Sequence, residues 1–187
     1  MTVFCTWSYR GQKESPQTYE ALIDTLESFK SIQVISPYLK NTYQPLVEAV
    51  TGKSDLESRY AGYQAMRKGI RLADAVIFET STESFQIGHE VSYALTLKKP
   101  TFCLSQHEDF SQRIEHDYFF GSRYNLTNLK PKIQDFLAAA RDMTQSERFN
   151  LFLYPHQVEY LKLESQKHGM NMSEYMRFLI NHDRSQE

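Results

Sequence analysis

Ser84, Gly88 and Glu90 lie in the stretch STESFQIGHE (81–90), directly after the apolar run AVIF. On a helical wheel of about 100° per residue with Ile87 at zero, Val91, Ala94, Leu95 and Lys98 fall within about 80° of it. Glu90 falls at about −60°, beside Ala94, at the margin of the apolar stripe. A carboxylate there is half desolvated, which costs free energy unless the charge is paired or used. The start of the helix has unbonded backbone N–H groups and a dipole that favours negative charge. Ser84 adds a hydroxyl beside that first turn, and Gly88 leaves room one turn below. The set is an anion pocket with a carboxylate about one and a half turns away. The same residues have a plainer reading, in which Ser84 is an N-cap and Glu90 a surface acid paired with a lysine.

Strand and helix signals alternate over the first 140 or so residues, the pattern of a parallel α/β sheet. TVFCTW, IQVIS, DAVIFE, TFCLS and the short YFF are expected as strands. Helices are expected over SPQTYEALIDTLESF, SRYAGYQAMRKGIRLA, SFQIGHEVSYALTLKK and NLKPKIQDFLAAA. In the first of these Ser15 is the expected N-cap, Pro16 opens the first turn, and Tyr19, Leu22, Ile23 and Leu26 share a face. Pro100 stops the third. Residues 37–58 are polar and irregular, and a short helix fits YQPLVEAV. The expected fold is a flavodoxin-like five-stranded parallel sheet with helices on both faces, over residues 1–142. In such sheets ligands sit at the carboxyl ends of the strands.

Composition narrows the class. The 187 residues are 41% apolar and 24% charged, with a net charge of −2, which argues against a chain-wide nucleic-acid footprint. No apolar run is long enough to span a bilayer. Met1 leads straight into TVFCT with no leader signature, so a cytoplasmic protein is expected. Cys5 and Cys103 lie in apolar runs and are expected to be reduced core residues. No Cys or His pair has zinc spacing, His116 and His168 stand alone, and neither a metal nor a cofactor is expected.

The composition changes at RDMTQSE (141–147). The remainder, residues 147–184, is expected as one strand, RFNLFLY, and two helices, a set too small to bury a core alone. Phe149, Leu151 and Leu153 alternate onto one face of the strand. Pro155 opens the first helix, with Val158, Leu161 and Leu163 inward, and Gly169 ends it. Ser173 and Glu174 open the second, with Met176, Leu179 and Ile180 inward. The segment needs a partner, most simply its own copy in a homodimer.

VFCTWSYRGQKESPQTYEALIDTL and ADAVIFETSTESFQIGHEVSYALTLKKPTFCL, in this strand–helix order, resemble the nucleoside 2-deoxyribosyltransferase superfamily. The 2'-deoxynucleoside 5'-monophosphate N-glycosidases are the nearest branch, and the resemblance covers roughly residues 2–140. It implies that Glu90 is the nucleophile, attacking C1' of the sugar and expelling the base to leave a glycosyl-enzyme ester for water or a second base to resolve. It implies that Ser84 holds the 5'-phosphate, with Ser8, Arg10 and Gly11 beside the sugar-phosphate and Gly88 completing the motif. The chain departs from the pattern in two places. The acid expected eight residues before the Ala73-Asp74 aspartate is Met66, with Tyr63 the nearest polar group one turn away and Asp55 or Glu57 in the preceding loop. His89 replaces the tyrosine common before the nucleophile. Trp7, Tyr9, Tyr60, Tyr63 and Phe85 are available to stack on a base.

RFNLFLYPHQVEYLKLESQKHGMNMSEYMRFLINHD resembles a ribbon-helix-helix module, as in the Arc and methionine repressors. The resemblance implies an antiparallel ribbon shared by a homodimer, with Arg148, Asn150 and Phe152 facing the major groove of double-stranded DNA. Arg148 and Asn150 suit base edges, whereas Phe152 does not. Acids slightly outnumber bases over 143–187, which leaves DNA binding and dimerisation alone both open. Two functions follow as expectations. One is hydrolysis of the N-glycosidic bond of a (deoxy)nucleoside 5'-monophosphate. The other is a nucleotide-sensing, DNA-binding regulator that does not turn its ligand over. Cleavage of a dinucleotide is a third that the sequence leaves open.

Overall fold

The apolar run Thr2–Trp7 forms β1, an inner strand of the first of two compact units, Met1–Ser146 and Glu147–Glu187. The computed structural model describes residues 1–48, 55–144 and 151–184. The other strands are β2 (Gln33–Ile35), β3 (Ala75–Glu79), β4 (Thr101–Ser105) and β5 (Phe119–Arg123). They form one parallel sheet in the order β2-β1-β3-β4-β5. β3 and β4 are buried at every position, which is why they read as continuous apolar runs and not as alternating ones. The fold is therefore the expected α/β class, with a five-stranded, all-parallel, flavodoxin-like sheet flanked by helices.

Successive residues of β3 point to opposite faces. Ala75 and Ile77 join Val3, Cys5, Trp7 and Tyr19 in one core, and Val76 and Phe78 join Phe4, Met66, Ile70 and Ile87 in the other. The first face packs on α2 (Pro16–Glu27) and α6 (Leu129–Thr144), and the second on α3 (Lys40–Glu48), α4 (Asp55–Leu72) and α5 (Phe85–Thr96). Gly69 of α4 lies so close to Phe4 that a Cβ there would approach the ring to 2.3 Å. The sheet direction switches between β1 and β3, where Trp7 and Glu79 are register partners at the carboxyl ends. That is the position where doubly wound sheets open a crevice.

Three local expectations change. Residues 9–14 form a short helix, α1 (Tyr9–Glu14), because the Ser8 hydroxyl accepts the Gly11 N–H at 2.9 Å and caps it. Ser15 is the N-cap of α2 by position, but its side chain makes no capping bond. Helix α5 ends at Thr96 and not at Lys99, since Lys98 takes a left-handed conformation (φ 55°) that turns the chain into β4. Cys5 and Cys103 are buried free thiols, as expected; burial raises both, Cys103 to about 12. No described helix is long and apolar enough to cross a membrane.

The second unit is a helical hairpin, α7 (Pro155–Lys167) and α8 (Met172–Arg184), turned at Gly169 (φ 65°). The Asn171 side chain caps α8: it accepts the Glu174 N–H at 2.9 Å, and the Glu174 carboxylate accepts the Asn171 N–H at 3.0 Å. Asn171 is thus the cap, and Ser173 and Glu174 lie in the first turn. Among the described residues Leu161, Ser165 and Tyr175 are buried, with Tyr175 stacked on His168. Val158, Leu163 and Ile180, expected inward, are exposed. Residues 151–154 are not in a strand; Leu151 is exposed and Phe152 fully so. Arg148, Asn150 and Phe149 lie outside the described residues, so the ribbon expected at 148–154 is described only over its last four positions.

Candidate active site

Glu90 sits in the second turn of α5 and is 2% exposed. The plainer reading does not describe it: it is not on the surface, and among the described residues it pairs with no lysine. Gln86, one turn earlier, donates to Oε1 at 2.8 Å, and Oε2 has no partner among the described residues. Burial pushes its carboxyl up to about 7, and the Gln86 bond offsets this only in part. The phenols of Tyr38 and Tyr43 lie within its field and are each raised to about 12, chiefly by their own burial and then by Glu90. Tyr38 stacks on Trp7 at 4.1 Å between centroids, and Trp7 stacks on Tyr19 at 4.8 Å. The buried Trp7 Nε1 is a second polar atom without a partner. An unmatched buried donor thus sits on the ring stacked against Tyr38, at the switch point of the sheet, and an unmatched buried carboxyl oxygen belongs to the residue whose charge acts on the same tyrosine.

The other motif residues have defined local duties. The Ser84 hydroxyl caps α5 through Ile87 N–H at 3.4 Å, a long contact, so the cap reading holds for this residue. A Cβ at Gly88 would meet nothing within 4 Å, so the glycine faces open space. Gly11 is the reverse: a Cβ there would come within 2.1 Å of the Tyr19 hydroxyl. Arg10 Nε pairs with Glu14 at 2.8 Å on the exposed side of α1. The Tyr63 hydroxyl and His89 Nε2 are 3.1 Å apart, so the unexpected histidine at 89 is matched by Tyr63. Met66 is buried in the α4–α5 core, which leaves the position of the missing acid apolar. Phe85, at the start of α5, is 94% exposed, and Tyr9 and Tyr60 are exposed as well.

Sequence reasoning missed Glu79. It ends β3, is 1% exposed, and points to the α2/α6 face with Ala75 and Ile77. Tyr19 donates to its Oε2 at 3.1 Å and Tyr124 to its Oε1 at 3.0 Å. The Ser81 hydroxyl and N–H also donate to Oε1. The Ser81 oxygen in turn accepts the Gln106 N–H at 2.8 Å, which ties the loop after β4 to the loop after β3. The available signal was an acid closing an apolar run, on the side that period two assigns to the core.

Glu79 lines a cavity of about 380 Å³ over the carboxyl ends of β1, β3 and β4, together with Arg10, Glu14, Tyr19, Ser81, Gln106 and His107. Glu90 is not among its lining residues. A second cavity of similar size lies over β4 and β5 and shares His107 with the first.

No family model matches the chain, and no curated protein does. Among solved structures, the fold is similar to that of a 2-deoxyribosyltransferase from the psychrotolerant bacterium Bacillus psychrosaccharolyticus. The TM-score is 0.44 at 13% identity, over 70% of this chain and 90% of that one. A likeness of that size carries nothing about activity.

Proposed function

We propose that the first unit cleaves the N-glycosidic bond of a (deoxy)nucleoside 5'-monophosphate, with Glu90 as the nucleophile. The observation that supports this is the enclosed Glu90 carboxyl with one oxygen unused, set beside the switch point of a parallel sheet. An idle buried carboxylate is costly, and sites of chemistry are where such a cost is kept. In the proposed reaction a Glu90 oxygen bonds to C1', the C1'–N bond breaks, and its electron pair leaves with the base. Water then attacks C1' of the ester and returns the carboxylate. The exposed Phe85 is the aromatic surface offered to the base, whereas Trp7, expected as a stacking partner, is buried and already stacked on Tyr19 and Tyr38. His89 precedes Glu90 on α5 and is met by Tyr63 of α4. The expected seat of the 5'-phosphate is Ser84 and Arg10, beside Ser8 and Gly11; the Ser84 and Ser8 hydroxyls cap α5 and α1, and Arg10 is paired with Glu14.

The experiment is incubation of the full chain with ribo- and deoxynucleoside monophosphates, followed by chromatography for free base. Base release that persists in Glu90→Ala refutes the nucleophile.

A second reading is favoured by Met66. With an apolar side chain where the resemblance puts an acid, the crevice binds a nucleotide without expelling its base. The exposed apolar side chains of 151–184 then serve self-association, and the second unit binds double-stranded DNA as a homodimer. Ligand-dependent DNA affinity without base release would select this reading.

A further inference from the structure

The two cavities that meet at His107 differ in charge. The first holds Arg10 against Glu14, Glu79 and Glu83, and Arg10 is already paired with Glu14. An anion placed there meets uncompensated carboxylates. In the second, Arg113 Nη1 is neutralised by Glu108 at 2.8 Å, and Asp109 accepts from the Ser111 N–H and hydroxyl. Arg123 and Lys132 remain as cations facing this cavity. Arg123 is held by its Nε, which donates to the Gln106 carbonyl at 3.0 Å and leaves its other N–H groups available. Lys132 is half-buried, and no acceptor for its ammonium occurs among the described residues.

Lys132 also breaks a local rule. It lies in the first turn of α6, at the positive end of a 16-residue helix whose first turn holds no acid. Its neighbour Lys130 turns away onto the Phe29 ring, whereas Lys132 lines the cavity. A cation kept at the wrong end of a helix, half-buried and unpaired, is relieved by a bound anion, which the helix end also attracts. The floor of the site is fixed: β4 and β5 pair Ser105 with Arg123, and the Ser105 hydroxyl accepts the His107 and Glu108 N–H groups.

We propose that Arg123 and Lys132 form the anion-binding subsite of this chain and seat a phosphate monoester. Resting on the nucleotide reading above, that ester is the substrate's 5'-phosphate. The phosphate then lies beyond His107, over β4 and β5, and not at Ser84 and Arg10.

The test uses inorganic phosphate titrated into the full chain at fixed ionic strength, followed by thermal shift and ³¹P line broadening. Saturable binding is expected, weakened about tenfold in Lys132→Ala, the scale of one charge-assisted contact. Lys132→Arg should restore it, which separates a lost charge from a damaged fold. Arg10→Ala should leave affinity within about twofold, since Arg10 is an exposed, paired cation. Equal affinity in wild type and Lys132→Ala, no saturable binding at all, or loss confined to Arg10→Ala overturns the subsite. A nucleoside 5'-monophosphate should displace the phosphate and its parent nucleoside should not. If phosphate binds through Lys132 yet no monophosphate displaces it, the subsite stands and the nucleotide reading fails.

Discussion

The Tyr19 hydroxyl donates to Glu79 Oε2 at 3.1 Å, joining α2 to the end of β3 across 60 residues of sequence. Among the described residues no cation pairs with Glu79; its carboxylate is met by the hydroxyls of Tyr19, Tyr124 and Ser81 and one backbone N–H. Removing one donor to a buried carboxylate costs about 1–3 kcal/mol. Tyr19→Phe is therefore expected to lower the unfolding free energy by that amount, read as a lower urea midpoint with an unchanged slope. Glu79→Ala, which orphans three hydroxyls, should cost more than Tyr19→Phe. Equal stability of wild type and Tyr19→Phe would show that the bond is not made.

Glu90 should give the chain a pH dependence of known sign. Its folded-state value of about 7 lies above the ordinary 4.5. The folded chain thus keeps a proton that the unfolded chain releases, and stability falls as pH rises from 4.5 through 7, by up to about 3 kcal/mol. Glu90→Gln removes the titrating group. It should match wild type near pH 5 and exceed it near pH 8 in chemical denaturation. If Glu90 is the nucleophile, kcat/KM should rise through pH 7 as the carboxyl ionises. A flat rate profile from pH 6 to 8 excludes that role.

The strands were legible because each is a short apolar run bounded by polar residues, and the all-buried β3 and β4 carry no competing signal. Glu79 was not legible: it looks like the polar residue that ends a strand, and the donors that make it tolerable come from α2, the β3–α5 loop and the segment after β5. Glu90 stood out because it sits inside a helical period. Its depth did not, since the wheel puts it at the margin of the stripe while the full helix layer closes over it. In the hairpin, Asn171 and Glu174 have the capping-box spacing, whereas the pattern places the opening at Ser173 and Glu174, inside the first turn. The expected inward positions Val158, Leu163 and Ile180 are exposed in the single chain because a two-helix hairpin has room for few buried side chains.

Gly88 and Gly11 should respond oppositely to alanine. Gly88 lies within α5 with open space around its Cα, so alanine there should stabilise the fold by about 0.5–1 kcal/mol through helix propensity alone. If the open space is where the sugar docks, the same variant should raise KM sharply while melting later. At Gly11 the new Cβ would press on the Tyr19 hydroxyl and disturb its bond to Glu79, costing about 1–3 kcal/mol. Gly88→Ala with unchanged KM would remove Gly88 from the site and leave it as a helix residue.

Ser84 should behave first as a cap. Its hydroxyl serves the Ile87 N–H, so Ser84→Ala is expected to cost about 0.5–2 kcal/mol, and Ser84→Asp, which also caps, much less. The Asp variant adds negative charge at the start of α5 without loosening the helix. With the phosphate seated at Arg123 and Lys132, Ser84→Asp should change nucleotide KM less than Lys132→Ala does. A larger effect of Ser84→Asp would return the phosphate to α5.

The second unit exposes Leu151, Phe152, Val158, Leu163 and Ile180 on a 41-residue segment, Glu147–Glu187, and a surface so apolar favours burial against another chain. Four of these five side chains belong to positions that the sequence pattern placed inward, which is what a core completed by a second copy would show. Truncation after Ser146 keeps α6 whole and leaves the first unit with both of its own cores. It should therefore melt as a single cooperative unit and still bind phosphate, while its mass by light scattering falls to that of one chain. The full chain should scatter as a dimer at micromolar concentration. Phe152→Ser should shift that equilibrium toward monomer without lowering the melting temperature of the first unit, because the two units are compact separately. Arg148→Ala and Asn150→Ala, by contrast, should leave the mass unchanged and each cost about 1–3 kcal/mol in duplex DNA affinity at fixed salt. A full chain that scatters as a monomer would exclude both the shared ribbon and the DNA-binding dimer.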